Sequence, residues 1–158
     1  MNNFFIWHLF LAWIWGFALG NLSVSNLAVG FVLGYLILWL CRHVLETERY
    51  CIFVLRLGEF VLFFLKELWV SNIRVAGEIL TPTHYMRPGI IALPLDVTHD
   101  VQITLLASLI NLTPGTLSLE VSEDRKYLYV HAMYVPDPER EKQHLKQGLE
   151  RRILELSR

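Results

Sequence analysis

The sequence predicts a membrane α-helical hairpin plus an amphipathic helix, followed by a small α+β domain of order β-α-β-β-α. Three observations carry that reading. Charged residues make up only 18% of the 158 while 54% are hydrophobic, against roughly 25% charged in soluble domains. Between Phe4 and Cys41 lie 38 consecutive residues without an Asp, Glu, Lys or Arg. From Thr81 onward, breaks bearing proline and glycine separate short stretches patterned as strands and helices.

The uncharged run exceeds the roughly 7–15 apolar residues of a secretory signal, and no basic side chain among Met1, Asn2 and Asn3 precedes it. As a single helix it would measure about 57 Å, nearly twice the roughly 30 Å hydrocarbon core of a bilayer. Gly20, Asn21, Ser23, Ser25 and Asn26 supply a turn near its middle. Residues 1–41 are therefore read as a two-span hairpin, with spans near Phe4 to Leu19 and Val24 to Cys41. Trp7, Trp13, Trp15 and Trp39 stand where interfacial anchors would, although Trp13 and Trp15 also suit packing inside a bundle. The turn is uncharged while Arg42, His43 and Arg49 follow the second span, so the positive-inside tendency places both chain ends in the cytoplasm. Gly16 with Gly20, and Gly30 with Gly34, form small-xxx-small pairs that let another helix backbone approach closely.

Residues 42–80 hold a charged break and then a helix of a different kind, from Tyr50 to Gly77. At about 100° per residue, Arg56, Glu59, Lys66, Glu67 and Arg74 share one arc, with Glu78 beside it, and the remaining surface is apolar. Such a helix suits the membrane interface, with its charges toward water. A third crossing with the stripe against a partner is the alternative. Glu59 and Lys66 are about two turns apart, too far for i,i+4 pairing, so Glu59, Lys66 and Glu67 are candidate partner-interface residues together with the four glycines.

Residues 81–158 read as a compact cytoplasmic α+β domain. After Thr81-Pro82-Thr83 and Arg87-Pro88-Gly89, Ile90 to Val97 is a strand that Pro94 assigns to a sheet edge. Asp100 is expected to cap a helix to about Leu112, which Thr113-Pro114-Gly115-Thr116 stops. Leu117 to Ser122 alternates apolar and polar residues, 123–126 turns, and Tyr127 to Val135 returns as the second hairpin strand. Asp137 as cap, Pro138 at the first helical position and Glu139 and Glu141 in the first turn start a final helix. Its apolar stripe is Leu145, Leu149, Ile153 and Leu156. A domain of about 75 residues is near the lower size limit for a self-sufficient core. Its nine Lys or Arg against ten Asp or Glu, from Pro82 to Arg158, leave no basic footprint for nucleic acid.

No residue pattern points to catalysis, a cofactor or a metal. The six histidines lack ligand spacing, and His131 in a strand reads as a packed or hydrogen-bonded residue. Cys41 and Cys51 read as free thiols. The 113–116 turn closes a helix rather than opening one, which is the wrong geometry for a phosphate cradle. Asp96 and Asp100 read as a strand end and a helix cap. A secondary transporter needs ionisable groups near the bilayer midplane, and the two spans offer only His8 near one end. This chain alone is not expected to move ions.

Several blocks occur together in one order. They are Arg87-Pro88-Gly89-Ile90-Ile91-Ala92-Leu93-Pro94-Leu95-Asp96, then Asp100-Val101-Gln102-Ile103-Thr104-Leu105-Leu106-Ala107, then Leu112-Thr113-Pro114-Gly115-Thr116-Leu117-Ser118-Leu119, and Leu128-Tyr129-Val130-His131-Ala132. With Ser71-Asn72, Val75-Ala76 and the two apolar spans, this pattern resembles the E subunit of the Mrp (Mnh, Sha) multisubunit Na+/H+ antiporters of bacteria. The resemblance implies a multi-pass subunit of a monovalent cation/proton antiporter in the bacterial inner membrane, with other membrane subunits and the lipid bilayer as its partners. Large sister subunits related to respiratory complex I would carry the ion path. It assigns no catalytic residue to this subunit. Two expectations follow: a noncatalytic subunit needed for assembly and hence for exchange, or a stand-alone membrane-anchored sensing or enzymatic domain.

Overall fold

A computed structural model describes residues 4–81 and 86–157. Met1, Asn2, Asn3 and the Pro82-Thr83 part of the predicted break lie outside the described residues. The chain forms two compact units, the first ending at Leu57 and the second beginning at Gly58. The division falls inside the third helix.

In the first unit, α1 (Phe4–Ala18) and α2 (Val24–Leu40) form an antiparallel hairpin. Gly20, at φ +62°, takes the left-handed conformation that ends α1. Ser23 caps α2, its hydroxyl accepting from the Asn26 amide. Asn26 Nδ2 donates to the Asn21 carbonyl at 2.6 Å, so the turn residues named from the sequence close the turn through their own side chains. Large side chains point outward: Phe5, Ile6, Trp7, Phe10, Phe17, Val32, Leu36 and Leu40 are exposed. The buried positions are His8, Ala12 and Gly16 of α1 and Gly30, Gly34 and Leu38 of α2, two i, i+4, i+8 rows of the kind that interdigitate in helix packing. At 15 and 17 residues the helices rise about 23 and 26 Å, and among the described residues no helix is long and apolar enough to cross a membrane.

Helix α3 (Glu48–Leu80) extends a turn or less beyond the predicted ends at Tyr50 and Gly77. Its first turns belong to the hairpin unit, where Tyr35 Oη donates to the Cys51 carbonyl and Thr47 Oγ1 to that of Leu38. The rest belongs to the second unit because Phe60, Phe63 and Phe64 pack on that unit's core.

The second unit is a two-layer α+β structure. Strands β1 (Gly89–Pro94), β2 (Thr116–Val121) and β3 (Tyr127–Ala132) form an antiparallel sheet in the order β1-β3-β2. Pro94 lies, as expected, on an edge strand, opposite Tyr127. One face buries Leu93, Leu128 and Val130 against Ile103, Leu106 and Ile110 of α4 (Asp100–Leu112) and against Leu145, Leu149 and Ile153 of the C-terminal helices, and Ile91 is buried on the same face. The tight 122–126 turn is bound by the Ser122 hydroxyl and the Asp124 carboxylate. Those hydrogen bonds, Ser122 first, hold the Asp124 carboxyl below its ordinary range.

Four local expectations are corrected. The first strand begins a residue early and stops at Pro94, and β3 ends at Ala132 rather than Val135. The cap of α4 is His99, with Gln102 Oε1 accepting from its amide, while Asp100 sits in the first turn and pairs with Arg125 at 2.6 Å. The final helix is not one regular element: α5 (Pro138–Leu145) and α6 (Arg151–Leu156) flank a π-helical turn, Lys146–Glu150. Such one-residue expansions occur mostly as single turns inside α-helices. In the turn Gly148 lies against Phe63, where an added Cβ would stand 3.1 Å from Cζ. His131 is half-buried in the central strand, between Ile90 and Leu117 on the sheet's outer face.

Candidate functional site

Two places gather chemistry, one in each unit. In the hairpin, His8 is fully buried. Its Nε2 lies 2.7 Å from the Phe31 carbonyl oxygen and its Nδ1 2.6 Å from Tyr50 Oη. A carbonyl only accepts, so Nε2 carries a proton and donates to it, while Nδ1 bonds a tyrosine hydroxyl, which can donate or accept. The ring also stacks on Phe31 at 3.8 Å. One side chain of α1 thereby joins α2 and the start of α3 and leaves no buried nitrogen unpaired. His8 stands out in the sequence as the lone ionisable group of the spans; its partner, 42 positions away, leaves no local signature.

In the second unit, a cavity of about 730 Å³ opens beneath the polar face of α3. Lys66, Glu67, Ser71 and Arg74 line it from α3, Thr113 to Thr116 from the end of α4, and Tyr134, Arg140, Glu141 and His144 from the other side. The stripe read from the sequence is therefore turned, from Lys66 to Arg74, toward the chain's own C-terminal domain. Glu67 meets His144 Nε2 at 3.2 Å, and Arg74 lies over the Tyr134 ring at 5.5 Å. Tyr134 Oη is buried without a hydrogen-bond partner. Burial first, then the nearby Glu78 charge, pushes its hydroxyl above the ordinary tyrosine value, with Arg74 acting the other way. The cavity joins cations, carboxylates and hydroxyls.

The seven residues singled out from the sequence separate between the units. Gly16, Gly30 and Gly34 lie at the α1–α2 contact: a Cβ on Gly30 would be 2.9 Å from the Ala12 carbonyl oxygen, one on Gly34 3.1 Å from His8 Cδ2, and one on Gly16 2.9 Å from Leu22 Cδ2. Gly20 is in the turn, with open space around it. Lys66 and Glu67 meet at the cavity, and Glu59 is exposed outside it. Among the described residues no group of three or more His, Cys, Asp or Glu is placed to hold a metal ion.

Sequence reasoning missed a buried charge network at the far end of β1. Glu150 is buried, and its Oε1 accepts from the amides of Asp96 and Val97. Lys146 Nζ lies 2.6 Å from Asp96 Oδ2 and 3.2 Å from Glu150 Oε2. The second contact is ionic rather than a well-aligned hydrogen bond, and Oε2 has no other partner. Burial disfavours the Lys146 ammonium, but the Asp96 hydrogen bond and the Glu150 charge outweigh it and raise its pKa above the ordinary lysine value. An i,i+4 Lys–Glu pair was visible, but nothing in the sequence marked it as buried.

Comparison with known proteins shows the family to which this arrangement belongs. The family model MNHE, described as "Na+/H+ ion antiporter subunit", matches residues 8–156. The chain is 36% identical over 151 residues to the E subunit of the Na(+)/H(+) antiporter of Bacillus subtilis (strain 168), covering 96% of each chain. It is 36% identical over 146 residues to the E1 subunit of the Na(+)/H(+) antiporter of Staphylococcus haemolyticus (strain JCSC1435), covering 92% of each. Among solved structures it is similar to a chain of the Mrp complex from Dietzia sp. DQ12-45-1b, with TM-score 0.51 and 31% identity over 66% of this chain and 97% of that one. A chain of the membrane-bound sulfane sulfur reductase, an archaeal respiratory membrane complex, shares the fold at TM-score 0.58 and 23% identity, with 99% of each covered.

Proposed function

The chain belongs to the family of Na+/H+ antiporter E subunits, and from that premise we propose how it serves a multisubunit monovalent cation/proton antiporter: as a noncatalytic membrane subunit needed for assembly, and hence for Na+/H+ exchange. The observation that carries this reading is the family match over residues 8–156, nearly the whole chain. The geometry supports it from two sides. The hairpin has small residues and one satisfied histidine inside and large apolar side chains outside, the distribution that a hydrocarbon solvent favours. Its ionisable group is committed to two hydrogen bonds that hold helices together rather than facing a watery path.

In this reading residues 1–41 span the bacterial cell membrane twice. Spans shorter than the bilayer are accommodated by local thinning and by side chains reaching to the interface. Residues 42–80 include the helix at the membrane interface, its exposed Leu62, Leu65, Trp69 and Ile73 toward lipid, and residues 81–158 are cytoplasmic. A cysteine replacing Arg125, itself in the β2–β3 turn, stays unlabelled by a membrane-impermeant thiol reagent added outside intact cells. Efficient labelling there requires a third crossing.

The partner contacts are Gly16, Gly20, Gly30, Gly34, Glu59, Lys66 and Glu67, the glycines through the hairpin they shape and the charged residues through the polar side of α3. Gentle detergent extraction of the tagged chain brings down several large, many-span proteins in fixed ratio, and the pure chain in liposomes moves no ions. Glu59→Gln and Lys66→Gln lower recovery of those proteins while this chain still inserts. A stable isolated monomer would favour the stand-alone reading, and cation-dependent proton flux from the pure chain would end the noncatalytic one.

A further inference from the structure

The apolar alternation of β2 faces away from the core. Leu117 is 50% exposed and Leu119 49%, whereas Ser118 turns inward and its hydroxyl bonds Asn111 Oδ1 at 2.8 Å. The register extends this outward face across the sheet: Leu117 stands beside His131 and Ile90, Glu120 beside Tyr129 and Ala92, and Tyr127 beside Pro94. Ile90 is 66% exposed, while Ile91, its neighbour on the other face, is 1% exposed. An antiparallel sheet that meets only water alternates apolar inside with polar outside. Here both faces are apolar, and α-helices cover one of them.

We propose that this open sheet face is a protein–protein contact, occupied by an apolar segment carrying lysine or arginine from a cytoplasmic loop or helix end of a sister membrane subunit. The inference rests on the subunit reading above and names the surface it uses. Three chemical facts select this occupant. Glu120 lies within the face, and a carboxylate pressed into hydrocarbon is costly, so lipid tails are a poor cover. Glu120 and Glu123 have no ion partner among the described residues, and the strand positions of the face include no lysine or arginine. A second copy would therefore bring carboxylates and no compensating cation. Tyrosine-rich apolar faces are typical of protein interfaces, and the cytoplasmic loops of many-span proteins carry an excess of Lys and Arg.

The test uses the full chain expressed with its complex, with a photoreactive amino acid in place of Leu117 and, as a control, in place of exposed Glu139 on α5. Extraction of the unsubstituted chain in parallel checks that the complex is present. Irradiation at 117 gives one major adduct to a sister subunit, mapping next to a Lys or Arg. Glu120→Lys lowers its yield at least several-fold, and reversing that partner cation to Glu restores it. Adducts to phospholipid or to a second copy, no adduct in an intact complex, an equal adduct from 139, or a yield indifferent to Glu120→Lys each overturn the assignment while leaving the subunit reading in place. Recovery of the unsubstituted chain without any sister protein overturns both.

Discussion

Replacing Glu150 by alanine lowers the stability of the second unit by roughly 2–5 kcal/mol, chiefly because two amide donors lose their buried acceptor at about 1–3 kcal/mol each. The carboxylate serves the Asp96 and Val97 amides and the Lys146 ammonium at once. Its removal leaves the two amide donors without their acceptor and takes from the half-buried Lys146 one of its two carboxylates, Asp96 remaining at 2.6 Å. Glu150→Gln separates the contributions: the amide oxygen still accepts from the two N–H groups while the ion pair is lost, so its deficit is smaller. Thermal and urea unfolding of the detergent-solubilised full chain, followed through the circular dichroism of the sheet, reads both. A loss below about 1 kcal/mol for Glu150→Ala would place the carboxylate in water. The pH sign follows from Lys146, whose raised pKa makes its contribution complete below the ordinary lysine value of 10.5 and lost as pH rises through the folded value. The gap between parent and Glu150→Ala therefore narrows in strong alkali.

Gly30→Leu prevents the hairpin from closing and reduces recovery of the assembled complex by roughly tenfold or more, as overpacking of about 1–3 kcal/mol or greater implies. A side chain there meets the Ala12 backbone oxygen at 2.9 Å and Trp15 at the same distance, and a helix carbonyl cannot move aside as a flexible side chain can. Gly58→Ala is the matched control, because no atom lies within 4 Å of its added Cβ and alanine favours a helix interior by about 1 kcal/mol. Quantitative immunoblotting of the detergent-extracted complex compares the two. Equal recovery would mean that α1 and α2 do not depend on a close contact at Gly30.

The elements legible in the sequence were those specified by local chemistry. Gly20 and Asn26 closed the first turn, Asp137 and Pro138 began α5, with Asp137 Oδ1 accepting from Glu139 and Arg140, and the α4 limits emerged from the stop at Thr113. The illegible parts depended on which face a pattern presents and on partners far along the chain. Period-two alternation in β2 gives the faces but not which of them meets the core, and a bulge between Ser118 and Glu120 changes the facing within the strand. Glu150 occupies an ordinary helical position until the π turn and the Asp96 and Val97 amides, more than fifty positions away, bury it. The stripe on α3 was visible as a stripe. That its Lys66-to-Arg74 portion meets Tyr134 and His144 depends on tertiary structure that periodicity does not encode.

The strand order β1-β3-β2 also sets a timetable for synthesis. β1 is complete at Pro94, yet the strand that pairs with it begins only at Tyr127. At about 5–20 residues per second, the ribosome leaves β1 without its neighbour for roughly two to seven seconds, longer than most small domains need to fold. Throughout that interval Ile90 to Leu93 is an apolar stretch without its strand partner. Pro94 withholds one amide from that stretch, so the residue that ends the strand also limits what can pair with it before β3 arrives.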